Sequence, residues 1–162
     1  MRLLVPSDGS STAQRAVAFA LWLAQDRPTA SIVLLNVQNR ETLGLSDIDV
    51  ATENERDLAE RQSAKALHGA IKACEEAGIR FEVRSEFGPI GETIERVARD
   101  VQPDQIVMGT RGLGRVTGML FGSTATGVVH RAHVPVTLVR PGMRLPEGAR
   151  PGRPRNQGTA RP

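Results

Sequence analysis

Short apolar runs alternate with segments of helical periodicity along most of this chain, and that alternation is what most limits its fold. Residues 2–6 (RLLVP) and 31–37 (SIVLLNV) are nearly continuous apolar runs bounded by turn residues. Runs of this kind are typical of strands buried on both faces, which occur in parallel sheets. The later strands are predicted at residues 80–87, 105–109 and 134–139.

Helices are predicted between these strands, because apolar residues recur there at helical spacing. The first helix follows Asp8-Gly9-Ser10-Ser11, which offers N-cap residues, and stops ahead of Pro28. The others are predicted at about residues 53–77, 90–101 and 123–132, with Gly78 as the expected C-cap of the first of these. Since parallel crossovers are right-handed, we predict an α/β fold with an open, mostly parallel five-stranded sheet and helices on both faces.

The size and composition of the chain fit one soluble domain. A chain of 162 residues, 40% of them hydrophobic, can bury a core without disulfides, and its single cysteine, Cys74, is expected to be a buried thiol. No apolar run approaches the roughly 20 residues of a membrane span, and the N-terminal segment enters a polar turn too early for a signal peptide. We therefore expect a cytoplasmic protein with no membrane partner.

The positive charge of the chain is concentrated at its end. Residues 141–162 carry five arginines and one glutamate, so the remainder has one more acidic than basic residue. This segment is rich in Pro, Gly and Arg, and such a composition is typical of disorder. We predict a folded domain at residues 1–140 and a disordered tail at 141–162. No specific nucleic-acid partner is expected, although an arm that touches phosphates or acidic partners weakly stays an alternative.

Five glycines fall within fourteen positions of the segment GTRGLGRVTGMLFGST at residues 109–124. It follows a predicted strand and precedes a helix start, an arrangement that directs backbone N–H groups toward a phosphate at the positive end of a helix dipole. In open α/β sheets, ligands bind beyond the carboxyl ends of the strands, where the strand order reverses. An ordinary loop is the alternative interpretation.

Two common phosphate loops do not match this segment. A P-loop ends in Gly-Lys-Ser/Thr, and no lysine follows Lys72. The dinucleotide fingerprint G-x-G-x-x-G is also missing, because the first three glycines stand at positions 109, 112 and 114 and come late in the chain. The remaining pattern is Gly109, two residues, Gly112, nine residues, then Gly122-Ser123.

That spacing resembles the G-2x-G-9x-G-[ST] motif in the ATP-binding branch of the universal stress protein family. The resemblance covers residues 2–140 and includes the opening LLVPSDGS, the turn GTRGLG, the GS helix start and the closing AHVPVTLV. It implies strand order 3-2-1-4-5, with the reversal between the first and fourth strands. It also implies a homodimer through residues 134–139, where Pro135 is compatible with an edge strand.

The resemblance further implies a site for ATP, with Mg²⁺. It places Pro6 and Val37 beside the adenine, Ser7 and Met108 in the same site, and Asp8 near the ribose or a bridging metal. The residues implied to hold the phosphates are Gly109, Gly112, Gly122, Ser123 and Thr124.

Alternatives remain for some of these residues. Asp8 could be the N-cap of the first helix, while Ser123 or Thr124 could cap the last one. Arg111 could supply charge to the phosphates or could be solvated. No residue is assigned as catalytic or as a metal ligand.

The predicted function is a nucleotide-binding regulatory switch of the stress response. The alternative is a slow ATP hydrolase or nucleotidyl-transfer enzyme on the same fold. No carboxylate or histidine occurs within residues 105–124, so efficient turnover is not expected. A third possibility is a dimerisation module that binds no nucleotide, but the intact glycine motif argues against it.

Overall fold

A computed structural model of the chain describes residues 1–45, 53–110 and 121–147. Strands and helices alternate through this part of the chain. In chain order they are β1 (Arg2–Pro6), α1 (Ser11–Ala24), β2 (Ser31–Gln38), α2 (Glu53–Ala77), β3 (Arg80–Phe87), α3 (Ile90–Val101), β4 (Gln105–Gly109), α4 (Ser123–Arg131) and β5 (Val136–Val139).

The five strands form one sheet in the order β3-β2-β1-β4-β5. Every pairing between neighbouring strands is parallel. The α/β class, the parallel sheet and the order 3-2-1-4-5 are therefore confirmed. The strand order reverses between β1 and β4, which are paired through Leu3 with Gln105 and Leu4 with Ile106.

Each face of the sheet carries its own hydrophobic core. On one face, α1 and α2 pack against alternate residues of β1 and β2, with Leu34 fully buried in the middle. On the other face, α3 and α4 cover the intervening residues, including Leu35 and Met108. Alternation of side chains along a strand explains this division, because each strand supplies both cores.

The start of β5 and the end of α4 lie one or two residues from their predicted positions. β5 begins at Val136 and not at 134, although the Pro135 carbonyl already accepts from Ile106 N (2.9 Å). Proline has no N–H to continue the ladder, so regular pairing starts one residue later. The last helix ends at Arg131, and the N–H of its C-cap, Ala132, donates to Val128.

The end of α2 follows its predicted pattern. Gly78 has a φ of +63°, and Gly78 N and Ile79 N donate to the carbonyls of Glu75 (3.0 Å) and Cys74 (3.2 Å). This pair of hydrogen bonds is a Schellman C-cap, which favours glycine at the left-handed position. Cys74 is fully buried on α2, and burial, followed by the charge of Glu75, raises the pKa of its thiol from 9.0 to about 12. The thiol is therefore protonated at neutral pH.

The edge strand β3 is exposed and carries charges on its α3 side. Arg84 Nε lies 2.7 Å from Glu82, and this hydrogen bond lowers the pKa of the Glu82 carboxyl below its ordinary value. Arg96 of α3 pairs with Glu86 at 2.8 Å. Charged side chains along an edge discourage pairing with another strand.

Contacts with the core continue beyond residue 140. Met143 and Leu145 are half-buried against the core under α1, and the Arg15 guanidinium donates to the Met143 carbonyl. Most of the predicted tail, residues 148–162, lies outside the described residues. Among the described helices, none is long and apolar enough to cross a membrane.

Candidate functional site

The carboxyl ends of β1 and β4 lie side by side, and the chain leaves them in opposite directions. β1 leads to α1 on one face of the sheet, while the segment after β4 leads to α4 on the other face. The space between these two strand ends is the crevice in which open α/β sheets bind ligands. It brings the turn after β1 and the start of α4 to the same edge of the sheet.

The turn after β1 is held by one hydrogen bond to β2 and by hydrogen bonds within the turn itself. Ser7 N donates to the Leu35 carbonyl (2.8 Å), and Ser10 N donates to Asp8 Oδ1 (3.0 Å). Ser10 Oγ in turn accepts from Ala13 N (3.2 Å). The alternative interpretation of Asp8 as the helix cap is therefore wrong, since Ser10 is the N-cap of α1. Asp8 supports that cap through a local turn and remains half-buried at the crevice.

Gly109, at the end of β4, is packed closely against the first turn of α1. A Cβ on Gly109 would lie 2.9 Å from Thr12 Cγ2, 3.2 Å from the Thr12 carbonyl carbon and 3.3 Å from Ala13 N. Two of these atoms belong to the backbone and cannot rotate away. The close approach of helix α1 to strand β4 thus favours glycine here, whether or not a phosphate also binds.

The start of α4 is built on Gly122. Gly122 N donates to the Thr110 carbonyl (2.8 Å), and the Gly122 carbonyl accepts from Thr126 N (3.0 Å). Gly122 is the N-cap and supplies no side-chain cap, so the prediction that Ser123 or Thr124 caps this helix is wrong. Those two residues instead form the beginning of the helix, Ser123 exposed and Thr124 half-buried.

The charge at this helix start is suited to an anion. The first N–H groups of a helix have no partner within it, and they carry the positive end of the helix dipole. No acidic side chain occurs in the first turn of α4 to compensate that charge. Backbone N–H groups in this arrangement can bind phosphate oxygens.

Thr110 is a further residue of this site that the sequence reasoning missed. Its N–H donates to the Val139 carbonyl (3.0 Å), and its carbonyl accepts from Gly122. Its side chain is 1% exposed, and the hydroxyl has no hydrogen-bond partner within residues 1–45, 53–110 and 121–147. Because a buried hydroxyl is costly to leave without a partner, the Thr110 hydroxyl is suited to donate to a ligand oxygen placed at the start of α4.

The remaining predicted site residues occupy the strand ends. Pro6 is half-buried at the end of β1, and Ser7 is buried just after it. Val37 and Met108 belong to the core cluster between the sheet and α3–α4. Arg111 and Gly112 lie outside the described residues.

A buried polar network next to the turn after β1 was also missed. Asn36 Nδ2 donates to the Ser7 carbonyl (2.7 Å), and Asn36 Oδ1 accepts from Gln38 Nε2 (2.8 Å) and Ser63 Oγ (2.7 Å). Gln38 also accepts from the Thr42 hydroxyl (2.8 Å). Polar residues within an otherwise apolar strand were the available signal.

A cavity of about 360 Å³ lies between the first half of α2 and the end of β3. None of the predicted site residues lines it. Its lining residues are Glu55, Arg56, Ala59, Glu60, Ser63, Ser85, Glu86 and Phe87. Within the described ranges, no three His, Cys, Asp or Glu side chains are grouped as metal ligands would be.

Comparison with known proteins identifies the family of this fold and crevice. The model of the universal stress protein family matches residues 1–140. This chain belongs to the universal stress protein family. A putative universal stress protein of Staphylococcus epidermidis is 31% identical over 140 residues, which cover 85% of this chain and 82% of that protein. The universal stress protein A-like protein of Arabidopsis thaliana is 31% identical over 115 residues, 67% of this chain.

Some of these family members are longer than this chain. The match covers 66% of the Arabidopsis thaliana protein, and it covers 47% of the universal stress protein Rv2624c of Mycobacterium tuberculosis. The chain thus spans about half to two thirds of the length of these relatives.

Solved structures of the family share the fold. Universal stress protein UspA from Lactobacillus plantarum has a TM-score of 0.65 at 27% identity, covering 86% of this chain and 97% of that one. A family protein from Arabidopsis thaliana with AMP bound has a TM-score of 0.62 at 20% identity, covering 86% and 91%. A universal stress protein in complex with cAMP has a TM-score of 0.64 at 23% identity, covering 86% and 96%. At these last two identities the likeness shows the fold alone.

Proposed function

We propose that this universal stress protein binds an adenine nucleotide, ATP with Mg²⁺, in the crevice between β1 and β4 and acts as a homodimeric regulatory switch. The observation that carries the proposal is the start of α4. There the Gly122 cap has no side chain to accept from the first helical N–H groups, and the buried Thr110 hydroxyl beside it has no hydrogen-bond partner among the described residues. A phosphate bound there would accept hydrogen bonds from these N–H groups and from the Thr110 hydroxyl.

The rest of the nucleotide is assigned along the same edge of the sheet. With phosphates at Gly122, Ser123 and Thr124, the nucleoside extends toward the turn after β1, where Asp8 is a carboxylate able to accept from the ribose hydroxyls. Pro6 and Val37 then flank the adenine. Relatives with AMP and with cAMP bound support the adenine nucleotide as the ligand class.

The regulatory assignment is favoured over turnover by the residues near the phosphates. Asp8 is the acid placed at the crevice by the described part of the chain, and it is engaged with Ser10 N. Catalysis of phosphoryl transfer needs a positioned water or acceptor and compensating cations. We propose that nucleotide occupancy itself is the signal, in the cytoplasm.

The homodimer is proposed to form through β5. Within the described chain β5 pairs with β4 on one side, and its other edge carries backbone groups open to a second strand. Val136, Thr137 and Leu138 are half-buried within the single chain, so part of each side chain is accessible to a second copy. Native mass spectrometry is expected to give twice the 17.5 kDa chain mass, and a monomer at micromolar concentration would contradict this part.

Thermal melting with nucleotide tests the proposal. Mg-ATP at a hundred times its dissociation constant should add about 2.7 kcal/mol to the free energy of unfolding. That corresponds to a rise in Tm of about 5–10 °C. AMP and ADP, measured in parallel, rank the contribution of each phosphate.

Gly122→Val should abolish this rise while leaving the Tm of the free protein nearly unchanged. The φ of −72° and ψ of 160° at Gly122 suit valine, but the two methyl groups would crowd the place of the phosphates. Val129→Ala, an exposed change later in the same helix, is the matched control and should retain the rise. A Gly122→Val protein that still responds fully to Mg-ATP would remove the phosphate site from this helix.

A further inference from the structure

Asn36 is the centre of a buried polar network between β2, α2 and the turn that carries Asp8. Its side chain is 2% exposed and lies on the α1–α2 face, on the same side of β2 as Leu34. Each of its two polar side-chain atoms has hydrogen-bond partners. The Nδ2 atom donates to the Ser7 carbonyl at 2.7 Å, and Oδ1 accepts from two donors, Gln38 and Ser63.

This pattern leaves one orientation for the Asn36 amide. Flipping the amide would set Oδ1 against the Ser7 carbonyl and Nδ2 against the Gln38 amide nitrogen, so two of the three contacts would become repulsive. The orientation is thereby locked from both sides of the side chain. Because the Asn36 side chain is fixed, the Ser7 carbonyl that accepts from it is fixed as well.

The Ser7 carbonyl belongs to the peptide bond that precedes Asp8. β2 holds both backbone polar groups of Ser7, the N–H through the Leu35 carbonyl and the carbonyl through Asn36. On the other side of Asp8, Ser10 N donates to the Asp8 carboxylate at 3.0 Å. The carboxylate therefore stands between two anchored points, one of which is the Asn36 side chain.

We propose that Asn36 is a positioning residue that sets the Asp8 carboxylate for the ribose, and that it thereby gives the site its preference for ribonucleotides over 2′-deoxyribonucleotides. The inference rests on the proposed nucleotide site and deepens it. A fixed carboxylate can accept from the 2′-hydroxyl and the 3′-hydroxyl together, whereas a deoxyribose offers one of the two. A site built around a substrate hydroxyl discriminates against the analogue that lacks it.

The role of Asn36 differs from that of Ser63, which binds the other end of the same amide. Ser63 is 1% exposed on α2 and donates to Asn36 Oδ1, an atom that already has Gln38 as a second donor. Ser63→Ala thus removes one bond of the network but leaves the bond between Asn36 and Ser7. It is the matched control for a change at Asn36.

The test compares the dissociation constants of Mg-ATP and Mg-2′-deoxyATP by titration calorimetry on the full chain. The unaltered protein should bind Mg-ATP about tenfold or more tightly than the deoxy form, since a hydrogen bond to a charged group has this order of effect. Asn36→Ala should reduce that ratio to about threefold or less, and Ser63→Ala should keep it. Inorganic tripolyphosphate should bind all three proteins within about twofold, because the start of α4 is unaltered.

Asn36→Leu provides a second variant in case the alanine variant folds poorly, since it keeps a similar volume while removing the amide. The ratio between the two nucleotides is informative where an affinity alone is not, because a general loosening of the fold weakens both ligands together. An unchanged ratio in Asn36→Ala or Asn36→Leu would overturn the inference and leave the nucleotide site standing. If Ser63→Ala reduced the ratio of the two dissociation constants as much as Asn36→Ala does, the hydrogen bond between Asn36 and Ser7 would not be the cause of the preference. Failure of the unaltered protein to bind either nucleotide would overturn the proposed function, and this inference with it.

Discussion

Gly109→Ala is expected to lower the Tm by about 3–10 °C, with and without nucleotide. The added Cβ would lie 2.9 Å from Thr12 Cγ2 and within 3.3 Å of two backbone atoms at the start of α1. Because the backbone cannot rotate away, α1 and β4 must separate, and overpacking of this kind costs about 1–3 kcal/mol. For a chain of this length that cost corresponds to the stated fall in Tm.

Gly91→Ala is the control for Gly109→Ala. Gly91 lies in α3, and its Cβ would meet the Arg131 Nη1 atom at 3.6 Å, the flexible end of a side chain. Alanine is a better helix former than glycine by about 0.5–1 kcal/mol, so this change should raise the Tm slightly. A Gly109→Ala protein with an unchanged melt but no response to Mg-ATP would mean that this glycine serves the phosphates alone.

Leu34→Ala is expected to reduce the free energy of unfolding by about 2–5 kcal/mol, measured by urea denaturation. Leu34 is fully buried in the middle of β2, between β1 and β3 in the sheet and beneath α1 and α2. Truncation there removes buried methyl groups and leaves a cavity that strands on both sides prevent from closing.

Val83→Ala is the comparison for Leu34→Ala, because Val83 pairs in register with Leu34 on β3. Its side chain is 43% exposed, so its loss should cost below about 1 kcal/mol. Equal losses for the two variants would contradict the account of a core centred on β1 and β2 with an exposed edge at β3.

Most of the fold could be predicted because local pattern and tertiary position agree. The apolar runs at 2–6 and 105–109 are buried on both faces and became β1 and β4 with the predicted ends. In α3, Ile94, Val97 and Val101 recur at helical spacing and are buried together. The start of β5 could not be placed, because a proline carbonyl joins the ladder before regular pairing begins.

The candidate site was less predictable, because its roles depend on partners distant in sequence. Gly109 lies against Thr12, which is 97 residues earlier in the chain, and the spacing of glycines does not reveal this close contact. Asn36 looks like one polar residue in an apolar strand until α2 supplies Ser63 and the turn after β1 supplies Ser7. The cap of α4 was misassigned because Gly122 and Ser123 are both favoured N-cap residues, and the Thr110 carbonyl decides between them.

The central claim is that the first N–H groups of α4 bind the phosphates of an adenine nucleotide. The most direct measurement is a titration of ¹⁵N-labelled protein with Mg-ATP, followed through the backbone amide resonances of Ser123 and Thr124. We expect these two amides to shift and saturate together with that of Asp8, at one common dissociation constant. The claim would be contradicted if the amide resonances at the start of α4 did not shift at saturating Mg-ATP. It would also be contradicted if the shifts were confined to the residues that line the cavity between α2 and β3.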